Sequence, residues 1–296
     1  MPDFGILEIQ RLVASFRDQA ALSLRLDEPE IALRNITVIN RLKATFCQPA
    51  LISVLVGTSL TRMSEDLIWE GIRLHAWDTQ PLEILASLLQ KNHARKPVAR
   101  TVHFELLFQL HSMAHLKDIL KQYSESWSAL WGTPAEFSFK ERFQLYYTTD
   151  GPSGWTSQRK AILVNQTIDF LDMLESENLS YVEPKVIIAG EEPTNYSPFA
   201  LTEGFAEALQ AFVSVTLKST TSTRISELGV ALEQHFLKNG SYPPSLDELA
   251  YDFDITDALD PKKLPLAYQL DEDGRPEIWS LKDPEIRWQF WSKKKR

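Results

Sequence analysis

A chain of 296 residues that is 44% apolar and 24% charged, with 11 glycines, is long enough to bury a sizeable core and has the composition of a folded, helix-rich protein. Its net charge of −9 works against phosphate backbones, which are held by clustered Lys and Arg, so nucleic acid is not an expected partner. Cys47 is the only cysteine, which excludes an intrachain disulfide and any multi-cysteine metal site.

From Ile6 the apolar residues Ile9, Leu12, Phe16, Ala20 and Leu24 recur every three or four positions and predict one helix. Leu26-Asp27-Glu28-Pro29 breaks it. Pro29 suits a first helical turn and Asp27 or Glu28 suits the positive helix end, so a second helix begins there with Ala32, Ile36, Ile39, Leu42 and Phe46 inward. The same device recurs at Cys47-Gln48-Pro49, opening a helix to about Leu74, and at Trp77–Pro81, opening one to about Gln90. Helix, short turn with proline and helix again predict stacked antiparallel hairpins, each hiding its stripe on a neighbour. The segment Leu22–Leu42, with ALRNITVINRL after LDEPE, resembles a tetratricopeptide-type repeat, although the usual turn glycine and the Trp and Tyr of that pattern are missing.

A further helix is predicted over about Val98–Tyr123, then an aromatic-rich stretch, Trp127–Tyr147. A turn cluster follows at Thr149–Gly154. It opens a helix over about Trp155–Glu175, with Ile162, Ile168, Leu171 and Leu174 or their near neighbours as its stripe. Ser176–Pro198, with three prolines and the pair Glu191-Glu192, reads as a linker between a helical-hairpin array at 1–175 and a second module at 199–296. In that module Leu201, Phe205, Leu209, Phe212 and Val213 mark one helix, and Ile225, Leu228, Leu232 and Phe236 a second. Asn239-Gly240 ends it, Tyr242-Pro243-Pro244 stays extended, and Ser245-Leu246-Asp247-Glu248 is a capping box that restarts a short helix. After Asp260-Pro261 the period shortens to two over Leu264–Leu270, Glu277–Leu281 and Glu285–Trp291, with Ile286, Trp288 and Phe290 on one face. This predicts a three-stranded antiparallel meander on the preceding helix. The fold class is therefore mainly α, stacked hairpins followed by a small α+β module.

The run from Ile225 to Leu281, with NGSYPPSLDEL, the downstream Asp260-Pro261, LPLAYQL and EIWSL, resembles the globular part of type II secretion major pseudopilins and related type IV pilin-like proteins. That resemblance covers about 60 residues and implies a helix packed on a small antiparallel sheet. Two features depart from the family. The residues before Ile225 carry Glu203, Glu207 and Gln210 where pseudopilins have an apolar anchor. Lys282-Asp283-Pro284 offers one side-chain carboxylate where the family's calcium loop needs several oxygens. The whole arrangement also resembles bacterial proteins that place an amino-terminal membrane anchor before such a helical region, a resemblance that names no activity. As written, the chain is expected to be soluble, without a signal peptide or a membrane span; a missing upstream anchor would instead make it extracytoplasmic.

Chemistry-bearing patterns are sparse. His111 and His115 share a helical face, with His103 two turns earlier, and the three could ligate zinc for a hydrolase. Ser112, however, stands where a zinc-protease motif has Glu, and solvated or hydrogen-bonded helix histidines are the simpler account. Ser153 lies between glycines without the G-x-S-x-G pattern and reads as a turn, and Cys47 as a small buried apolar residue. Asp252, Asp254, Asp257 and Asp260 are read as solvated loop acids rather than a calcium site. No catalytic, metal-binding or cofactor-binding residue is assigned, and no cofactor is expected. The leading expectation is a non-enzymatic scaffold for a protein or peptide partner. The alternatives are a component or relative of a secretion or pilus-like machine, and the metal-dependent hydrolase.

Overall fold

A computed structural model describes residues 6–45, 51–91, 200–249, 253–260 and 262–289, with shorter pieces at 101–102, 104–108, 110–111, 161, 164–165 and 167–168. The described chain is mainly helical with one small sheet, as its periodicities predict. Helix α1 spans Ile6–Arg25, α2 Pro29–Thr45, α3 Leu51–Arg73 and α4 Thr79–Gln90. The predicted stripe of α2 holds at Ala32, Ile36 and Ile39, which are fully buried against α1; in α1, Ala20 and Leu24 are buried as predicted, but Leu12 is half exposed and its neighbour Val13 faces the core instead.

The turns between these helices use a device absent from the sequence reading. Asp27, expected to favour the start of α2, sits at φ 62 just beyond α1, where Glu28 N–H reaches back to Ser23 O at 2.9 Å. His75 does the same beyond α3 at φ 51, with Ala76 N–H donating to Gly71 O at 2.9 Å. Both are helix-terminating motifs that usually recruit glycine, because a left-handed residue with a Cβ costs about 1–2 kcal/mol.

The second module departs from expectation at its centre. Where two helices were predicted, one helix, α5, runs unbroken through Ala200–Asn239. The Ser/Thr-rich run at 219–223 lowers helix propensity, but it does not break the helix, and the hydroxyls of Thr220, Thr221, Ser222 and Thr223 have partners. Thr216 and Thr220 donate back to carbonyls four residues earlier at 2.8 and 2.9 Å, and Thr221, Ser222 and Thr223 donate to carboxylates of other elements.

Gly240, at φ 77, ends α5 as predicted. Ser245 Oγ then accepts Asp247 N–H at 3.3 Å, opening a single 3₁₀ turn at Leu246–Glu248. The meander is present but shorter than predicted: β1 Ala267–Leu270, β2 Pro276–Trp279 and β3 Arg287–Gln289, antiparallel in the order β1-β2-β3. Ile278 pairs with Trp288 across β2 and β3, and both are buried. Of the stripe expected over Trp155–Glu175, Ile168 is half exposed and its neighbour Thr167 is buried, while Ile162, Leu171 and Leu174 lie outside the described residues.

Helix α5 packs against α3, α4 and β3. Its contacts with α3 advance in step: Glu65 meets Ser222 and Thr223, Trp69 lies over Gly229, and His75 meets Glu233. The two helices therefore run in the same direction. Trp69 also stacks on Trp288 with ring centroids 4.1 Å apart, so one apolar core joins the hairpins to the sheet. The predicted linker, Ser176–Pro198, lies outside the described residues.

Candidate functional site

The most unusual chemistry in the described chain lies on α5. Over Thr221–Glu227 it carries Thr221, Thr223, Arg224, Ser226 and Glu227 as buried polar side chains, on a helix whose flanking turns bury Leu217, Leu228 and Leu232. Burying polar groups is costly without hydrogen-bond partners, and those of Thr221, Thr223 and Arg224 come from two directions.

The first is α3. Glu65 is 2% exposed, and its two oxygens accept from Ser222 Oγ at 2.7 Å and Thr223 Oγ1 at 2.6 Å. Burial outweighs these bonds and the attraction of Lys43, pushing the Glu65 carboxyl up to about 7. The second is the loop after the 3₁₀ turn. Asp257, 1% exposed, accepts from Thr221 Oγ1 at 3.2 Å, Leu259 N–H at 3.0 Å and Ser280 Oγ at 2.6 Å, tying α5 to the end of β2. Arg224 donates to Thr256 O at 2.6 Å and pairs with Asp254.

A separate polar cluster lies farther along the same helix. Glu233, fully buried, meets His75 Nδ1 at 2.9 Å through one oxygen and accepts from Tyr242 Oη at 2.7 Å through the other. His75 and Tyr242 each stack on Phe236, with centroids 4.8 and 4.7 Å apart. Burial, and then the Glu233 charge, push the Tyr242 hydroxyl far above its ordinary range, so it remains a donor. The His75 ring that meets Glu233 belongs to the left-handed residue that ends α3. The array can hold and orient a proton.

The residues singled out from sequence fare differently. His111 is exposed, whereas His103, His115, Cys47, Ser153 and Asp252 lie outside the described residues. Among the described residues no three His, Cys, Asp or Glu side chains gather as metal ligands. Asp257 and Asp260, expected to be solvated, are buried, because Thr221, Ser280 and local backbone N–H groups use their oxygens; Asp254 is half exposed. Glu65, Glu233 and Tyr242 were not anticipated. The available clue was the hydroxyl run 219–223 on a helix, whose partners lie too far away in sequence to be read locally. No described helix is long and apolar enough to cross a membrane. Comparison with protein-family models, curated proteins and solved structures finds no match to this chain.

Proposed function

We propose that this chain is a non-enzymatic interaction or scaffold protein whose helical surfaces receive a protein or peptide partner. The observation that carries this reading is the helical piece at 104–108. Phe104, Leu107 and Phe108, spaced as one face of a helix, are 43%, 66% and 54% exposed. A large apolar side chain gains about 1.5–3 kcal/mol on full burial, so three on one face are a strong inducement to association. Leu12 and Leu22 on α1, and Leu26 just beyond it, add exposed apolar area.

The test places a photo-crosslinking amino acid at Leu107 in the full chain, in cells of its source. The expected result is a discrete adduct with a second protein that disappears in Phe104→Ser/Phe108→Ser while helix content is retained. Adducts confined to the chain itself, or an adduct indifferent to those substitutions, would overturn the reading.

One observation supports the secretion or pilus-machine alternative. The long helix α5 packs on an antiparallel β1-β2-β3 meander, the arrangement that the pseudopilin resemblance implies. Fold likeness alone assigns no role. Co-purification of the full chain with components of such a machine would favour it, and their absence from the adducts above would count against it.

A further inference from the structure

Glu65 stands apart from the other buried acids because its two oxygens accept from two hydroxyls of one neighbouring helix. The charged groups that act on it are Lys43 from α2, which favours its ionised form, and Asp66 on its own helix, which opposes it. On α5, Arg224 is turned to Thr256 and Asp254, and Glu227 lies one helical turn beyond Thr223. Hydroxyls differ from a cation in one respect that matters here. An O–H group can rotate to donate to a carboxylate or to accept from a carboxylic acid, so Ser222 and Thr223 serve both protonation states. Only the ionised state carries the full cost of a buried charge.

We propose that the α3–α5 seam is a proton-operated joint, closed by a neutral Glu65–Ser222–Thr223 knot and parted when Glu65 gives up its proton and draws water to the carboxylate. Because Trp69 follows Glu65 by one turn and rests on both Gly229 and Trp288, parting the seam also loosens the sheet.

The sign follows from the positions of the carboxyl in the two states, about 7 in the closed seam against 4.5 in water. The closed state binds the extra proton, so its advantage is complete below the lower value and is lost as pH rises through the upper one. Over the whole span the closed-to-open ratio falls by about 300-fold, and about tenfold of that falls between pH 6 and pH 8.

The test compares the full chain with Glu65→Gln, whose side-chain amide resembles the neutral acid. Urea unfolding at both pH values is expected to show the wild-type equilibrium shifting toward the open state by about tenfold more than the variant's. Amide exchange over 222–229, corrected for its chemical rate, is expected to quicken with pH in the wild type more than exchange in α1. Parallel unfolding profiles, or equal quickening in α1, would overturn the proposal. A carboxyl carbon titration of Glu65 in the wild type needs no variant: a midpoint near 7 supports the joint, and one near 4.5 removes it.

Discussion

Tyr242 shows how much one hydroxyl can matter. Its O–H donates to one oxygen of the fully buried Glu233 carboxyl, and removing it leaves that buried oxygen short of a partner. Tyr242→Phe is therefore expected to destabilise the fold by about 1–3 kcal/mol, read from the urea midpoint. No change would mean that His75 alone satisfies Glu233. Gly229 sets a steric limit of the same size. A Cβ there would overlap the Trp69 indole, although Ala favours helix over Gly elsewhere. Gly229→Ala should cost about 1–3 kcal/mol and disturb the Trp69–Trp288 stack, visible as a change in near-ultraviolet circular dichroism. A stabilised variant would show that the two helices can separate freely. Neither residue stands out in the sequence, because Glu233 looks like an ordinary surface acid on a helix and Gly229 like an incidental weak helix former.

At the scale of elements, the hairpins were legible and α5 was not. Pro29 and the 3.6-residue stripes of α1 and α2 are local facts, and Asn239-Gly240 and the period-two run after Asp260 are local too. The continuity of α5 is not local. Its Ser/Thr run is neutral to unfavourable for a helix taken alone and becomes acceptable only because Glu65, 157 residues before Ser222, and Asp257, 36 residues after Thr221, accept its hydroxyls. Ser219→Pro tests that continuity. In the interior of one helix it is expected to cost about 3 kcal/mol and reduce ellipticity at 222 nm, whereas at a junction between two helices it would be nearly silent. The same distance effect explains why the loop acids were misread: Asp257 is buried by contacts to α5 and to Ser280 that no window of sequence contains.

For the whole molecule, the central fact is that the hairpins and the sheet share Trp69 and Trp288 in one core. A shared core couples their unfolding. Trp288→Ala, which removes a buried indole stacked on the hairpin side, is expected to cost about 3–5 kcal/mol. It should also lower the thermal midpoint of the sheet and of the helices together in a single calorimetric transition. Two separate peaks, with the helical one unmoved, would refute that coupling. This level was the least visible in the sequence, where the change of period after Asp260 and the proline-bearing run before Pro198 invite division into modules; what unites them is contact between residues over two hundred positions apart.

The shared direction of α3 and α5 has a consequence for biogenesis. Partners such as Glu65 and Ser222 are separated by 157 residues, so at ribosomal speeds of about 5–20 residues per second α3 and α4 emerge on the order of ten seconds or more before the helix that covers them. During that interval Trp69, Leu82 and Leu85, all buried in the finished protein, have no α5 to shelter them. The nascent chain is thus a natural client for chaperones that shield greasy segments, and overproduction without them should favour aggregates.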